Sequence, residues 1–153
     1  MNKFIELINS RTTDSVGTSK NRLIDRNGIF YHVIQQTDNR TNLFSGDAAR
    51  HRDGLLKNMC PGLGIVPIIN VIMPTHTHDV FLTDNVEKIR FLFRNLNRGT
   101  SVFIRNERAE KFRQSIQTVF ANQPGYVVIK TREQFFCLIK YLHVNPAYLR
   151  QNG

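Results

Sequence analysis

The sequence predicts an α+β fold in which helices pack against an antiparallel sheet. Three observations carry this. Short stretches rich in β-branched and aromatic residues alternate with longer ones whose apolar residues recur at helical spacing. Two β-type stretches, Ile65 to Met73 and His76 to Leu82, are separated only by Pro74-Thr75 and therefore form a hairpin. The chain of 153 residues is one domain's worth, long enough for a real core. A ferredoxin-like arrangement accommodates this order of elements.

Residues 1–26 read as an N-terminal arm and residues 27–153 as a single domain. The arm has a short apolar start, Phe4 to Ile8, which suits a strand or one helical turn, then a Thr-, Ser- and Gly-rich loop from Ser10 to Lys20. Asn27-Gly28 is a turn signal, and Ile29 to Gln36 is the first strand. Ser45 can cap a helix over Asp47 to Asn58, which Pro61-Gly62 then ends. In the strand from Ile65 to Met73, Pro67 marks an edge or a bulge, because proline cannot donate to a ladder.

Asp84 opens the next helix, with Val86, Ile89, Leu92, Phe93 and Leu96 as its apolar stripe; Gly99 breaks it. Glu107 to Asn122 reads as a further helix with Phe112, Ile116, Val119 and Phe120 inward, and Pro124-Gly125 turns into a strand, Tyr126 to Ile129. Thr131-x-x-Gln134 has the form of a capping box. The helix it opens carries Phe135, Leu138, Ile139 and Leu142 on one stripe, and Pro146 ends it near Asn145.

The formal charge of +9 and the sequence pI of about 10.1 favour a polyanionic partner. Nucleic acid leads; a membrane surface is second, with no basic amphipathic anchor to support it. No apolar run is long enough to cross a bilayer. Cys60 and Cys137 have no metal-type spacing and cannot form a disulfide framework, which fits a reducing, cytoplasmic setting. Cys137, inside an apolar helical pattern, reads as core.

Two segments can carry chemistry. In a strand, residues i and i+2 share a face, so His76 and His78 can grip one metal ion. Asp79 then faces the other way and stays out of the site. On the last helix, Tyr141 and Asn145 lie one turn apart at the border of the apolar stripe. Arg90, Arg94 and Arg98 form a ridge, four residues apart, that suits either a phosphate backbone or a solvated helix face. His32 reads as a strand-face residue, His143 as helix surface and His51 as exposed.

Three segments, in order, carry a family resemblance: Tyr31-His32-Val33-Ile34-Gln35-Gln36 with Asn39-Arg40, Met73-Pro74-Thr75-His76-Thr77-His78, and Tyr141-Leu142-His143-Val144-Asn145-Pro146. Together they resemble the signatures of the single-tyrosine HUH transposases, most of all the REP-associated tyrosine transposases. Thr77 stands where that family usually has a bulky apolar residue, and the chain has no tryptophan, which relatives often carry before the tyrosine helix. The resemblance implies a ferredoxin-like fold and a divalent metal, Mg²⁺ or Mn²⁺, held by His76 and His78, with Asn145 able to complete the site. It implies Tyr141 as the nucleophile that cleaves and rejoins single-stranded DNA near hairpins through a 5′-phosphotyrosine, and Arg40 with the arginine ridge as candidate DNA contacts. It also implies a bacterial, nucleoid-associated setting. Relatives occur as monomers and as dimers that exchange the tyrosine helix, so a homodimer stays open. A catalytically idle hairpin-binding descendant is the rival from another class; replication initiators and relaxases share the chemistry but are usually larger.

Overall fold

The structure, a computed structural model, describes residues 28–152, with side-chain surroundings for residues 28–144. The expectations for residues 1–27 lie outside the described residues. The described part falls into two compact units, one ending at Val128 and the other beginning at Ile129.

The first unit holds β1 (Ile29–Gln36), α1 (Gly46–Leu63), β2 (Val66–Met73), β3 (His76–Thr83), α2 (Val86–Phe112) and β4 (Gly125–Ile129, at its end). The strands form one sheet in the order β2-β3-β1-β4, and β3 pairs antiparallel with both β1 and β2. This β-α-β-β-α-β order, with β3 lying between β1 and β2, is the ferredoxin-like arrangement that the sequence predicts. Gly28 precedes β1 with φ of 145°, and a Cβ there would stand 2.3 Å from the Thr83 carbonyl oxygen, so only glycine lets the chain pass so close. Pro67 lies on the edge strand, beside a register shift between Pro67 and Ile69; edge and bulge are both realised.

The register decides which side chains share a face. Ile34 lies opposite His78, His32 opposite Val80 and Gln36 opposite His76, so His32, His76 and His78 are on one face. Tyr31, Val33 and Phe81 are on the other. There they form the main core with Leu56 and Cys60 of α1 and Ile89, Leu92, Phe93 and Leu96 of α2. A second cluster joins Leu43, Phe44, Ala48, Ile104 and Val119.

Several expectations about helices and cysteines change. Helix α1 does not end at Pro61-Gly62 but runs through Pro61 to Leu63. Proline's fixed φ is itself helical, so the helix can carry Pro61 in its last turn, with the loss of one backbone donor. The stop is Gly64, left-handed at φ 65°, while Ile65 N–H donates to the Cys60 carbonyl at 3.0 Å. Helix α2 passes straight through Gly99, where a Cβ would come within 2.8 Å of Leu55 Cδ1. That glycine sits where Leu55 of α1 packs on α2 and does not break the helix. The helix expected over Glu107 to Asn122 is the last part of α2, which ends at Phe112 under a left-handed Arg113. Val119 is buried, but Phe112 is exposed, on the helix side away from the core. Cys60 is core, with its thiol pushed up to about 11 by burial, whereas Cys137 is exposed.

The second unit contains α3 (Arg132–Asn152). Its capping box forms as expected: Gln134 N–H donates to Thr131 Oγ1 at 3.1 Å, and Thr131 N–H to Gln134 Oε1 at 3.2 Å. Leu138 and Leu142 are buried. The helix does not stop near Asn145 but continues through Pro146 to Asn152, although a proline there lacks the N–H that would bond back one turn.

Candidate active site

The histidine pair is built by β3 and by what surrounds the turn before it. The segment after β1 is laced to Pro74-Thr75. Thr37 N–H donates to the Thr75 carbonyl at 2.9 Å, and Leu43 and Phe44 N–H both donate to the Pro74 carbonyl. The Thr37 hydroxyl adds a bond to the Thr75 carbonyl at 2.9 Å. Within this segment Asn39 and Arg40 adopt φ of 49° and 53°, strained for residues with side chains, and the lacing holds them there. The turn that delivers His76 is therefore held from two sides, and the Arg40 charge lies near enough to disfavour a proton on His76.

His76 is half-buried and His78 is 1% exposed, with ring centroids 5.0 Å apart and planes at 83°. Both rings are held through Nδ1. Thr75 Oγ1 lies 2.9 Å from His76 Nδ1, and His32 Nε2 lies 3.0 Å from His78 Nδ1. Where Nδ1 carries the proton and donates, Nε2 keeps its lone pair for a cation.

All three imidazoles favour the neutral form that such ligation needs. Burial lowers His78 to about 3, helped by His32 and His76. Burial lowers His32 to about 4. Burial first, then the Arg40 charge, lowers His76. Among the described residues, no group of three or more His, Cys, Asp or Glu side chains is arranged to hold a metal ion. The structure thus brings together two imidazoles of a candidate centre.

Asp79 faces away from this pair, as its place in the strand requires. Its carboxylate accepts from Arg52 Nη2 at 2.9 Å and from the Thr77 hydroxyl at 3.2 Å. Burial pushes the carboxyl up, against the pull of Arg52 and Thr77.

Tyr141 sits half-buried on α3, at the border of the stripe, as its position on the wheel predicts. Asn145 lies in the same helix; its side chain is outside the described residues. His143 is exposed, with Nδ1 bonded to the Ile139 carbonyl at 3.0 Å.

His32 lies on the strand face as expected, and there it is 1% exposed and bonded to His78. The sequence cannot show this before the β1–β3 register is known, since the contact is diagonal across the pair. His51 is half-buried rather than exposed, stacked on Phe103 at 4.3 Å between centroids.

Arg90, Arg94 and Arg98 are exposed on α2 and line a groove of about 740 Å³ together with Arg105, Asn122 and Tyr126. Arg90 is paired with Glu87. Arg105 extends the ridge by two helical turns; its spacing from Arg98 was the available signal.

The first unit is a ferredoxin-like sheet with a His-x-His pair on an inner strand, and the second holds a helix with a half-buried tyrosine. Two solved structures share the fold. One, from Deinococcus radiodurans R1 and assigned as a transposase, is 15% identical with a TM-score of 0.52, covering 86% of this chain and 95% of its own. The other, a REP-associated tyrosine transposase bound to a REP hairpin, is 11% identical with a TM-score of 0.59, covering 86% of this chain and 74% of its own. At these identities the likeness is one of fold. No protein-family model matches the sequence, and no curated protein matches it.

Proposed function

We propose that the protein is a transposase-type nuclease that cleaves and rejoins single-stranded DNA near hairpins. The observation that carries this reading is the His76–His78 pair, two neutral imidazoles side by side on β3, each held through Nδ1. The shared fold with two transposase structures, one of them holding a hairpin, supports it.

The donor set suits a divalent ion. His76 and His78 would hold it through Nε2, with Asn145, water and the DNA phosphate as oxygen donors; imidazole suits Mn²⁺ better than Mg²⁺. Such an ion would polarise a phosphoryl oxygen and neutralise developing charge. Tyr141 is the nucleophile in this reading. Its hydroxyl oxygen forms a bond to the scissile phosphorus as the 3′ oxygen leaves, which conserves the phosphoester as a 5′-phosphotyrosine. Attack by another 3′-hydroxyl reverses the step and rejoins the strand. The arginine groove on α2 and Arg40 beside the histidine turn would hold phosphates of the DNA.

The test is a denaturing-gel search for covalent adducts with labelled single strands that contain hairpins from the gene's own flanks. Adducts should form with Mn²⁺ or Mg²⁺, vanish with EDTA, and be absent in Tyr141→Phe, which should still bind the hairpin. An adduct that persists in Tyr141→Phe would remove this tyrosine from the reaction. Tight hairpin binding without any adduct would leave a binding-only protein.

A further inference from the structure

We propose that His32 is a positioning residue for His78: its Nε2 accepts the Nδ1 proton of His78 and so selects the tautomer that presents Nε2 of His78 to a divalent ion. The inference rests on the reading of His76 and His78 as a metal-binding pair.

The geometry leaves two arrangements of one proton. The nitrogens are 3.0 Å apart, and the rings lie nearly parallel, 18° between planes, with centroids 5.2 Å apart. Two imidazole nitrogens this close form a hydrogen bond through a single N–H, carried by one ring and accepted by the other. If His32 donates, His78 must carry its own proton on Nε2, and that nitrogen cannot ligate. If His78 donates, Nε2 keeps its lone pair, and His32 carries its proton on Nδ1.

His32 Nδ1 is buried and has no hydrogen-bond partner among the described residues. In the ligating arrangement this atom is a buried donor without a partner among the described residues, which is unfavourable. A group kept at that cost calls for an explanation, and bonding to a cation on the far side of His78 supplies one. The contact also locks the His78 ring against rotation about its Cβ–Cγ bond. His76 has a hydroxyl from the adjacent Thr75 for the same purpose, whereas His78 takes its partner from a residue 46 positions away.

The test uses the full chain, Mn²⁺ calorimetry, and long-range ¹H–¹⁵N spectra of the histidine rings without metal and with Mg²⁺. His32→Gln keeps an acceptor near the Nε2 position; His32→Phe keeps the ring and removes the acceptor. Wild type should bind Mn²⁺ and show His78 protonated on Nδ1 when Mg²⁺ is bound. His32→Gln should bind within about threefold of wild type, and His32→Phe roughly 10–100-fold more weakly. Equal Mn²⁺ affinity in wild type and a folded His32→Phe would overturn the proposal and leave the metal pair standing. Wild type that binds no Mn²⁺ would overturn the metal pair itself and the proposal with it. If His32→Phe does not fold, the wild-type spectrum decides: His78 protonated on Nε2 with Mg²⁺ bound refutes the assignment.

Discussion

Arg52 of α1 and Asp79 of β3 form an ion pair 2.9 Å long with both side chains fully buried, on the side of the strand opposite His78. The pair ties the histidine strand to the helical layer, and Arg52 also lies over the Phe93 ring, 5.6 Å from its centroid. Removing one partner leaves a buried charge without its counter-ion. Arg52→Ala should therefore cost about 3–5 kcal/mol in urea unfolding, while the double replacement Arg52→Met with Asp79→Leu should cost clearly less. Equal losses in the two would show that packing, not charge, sets the penalty.

Gly28 makes a second demand on the fold. Its φ of 145° and the 2.3 Å approach of a built Cβ to the Thr83 oxygen leave no room for a side chain. Gly28→Ala should destabilise by about 2 kcal/mol or more, read as a lowered melting temperature. An unchanged melting temperature would mean that the start of β1 can relocate at no cost.

Acid should weaken the fold before the carboxylates titrate. His32 and His78 are lowered to about 4 and about 3 in the fold, yet take up protons near 6.5 when unfolded. Between those values the unfolded chain binds more protons, so stability falls as the pH drops from 6.5 towards 4. The slope is about 1.4 kcal/mol per pH unit for each histidine, and neither contributes a slope above 6.5. Urea unfolding from pH 7.5 to 4.5 measures it, and His32→Gln should remove part of it. A flat profile would contradict the buried, neutral pair.

The arginine groove should act through phosphate charge. Arg94→Ala, Arg98→Ala and Arg105→Ala should each weaken hairpin binding similarly across sequences. Each should also lower the steepness of log K against log salt by about 1. Variants that change sequence preference and leave the salt slope intact would assign these residues to base reading instead.

The local devices were legible in the sequence because each depends on near neighbours. Strand β1, the Pro67 irregularity, the Ser45 cap and the Thr131–Gln134 box are all present as read. So is the shared face of His76 and His78, since the strand period of two needs no further information. The helices run past Pro61, Gly99 and Pro146 because those residues punctuate a chain only on average. At Gly99 the penalty of one glycine, about 1 kcal/mol, is small beside the burial of the long apolar stripe of α2.

What the sequence by itself determined about this protein is the order of its elements, its basic charge, the paired histidines and the tyrosine at a helix border. Only the tertiary structure decided that Asp79 is neutralised by Arg52, that Arg105 joins the ridge along a groove, and that His32 lies against His78. Those contacts join residues far apart in the chain, and the register of β1 on β3 and the packing of α1 and α2 on the sheet create them. Pairing register and helix docking are set by the burial of many apolar side chains at once, a collective quantity that no single motif encodes.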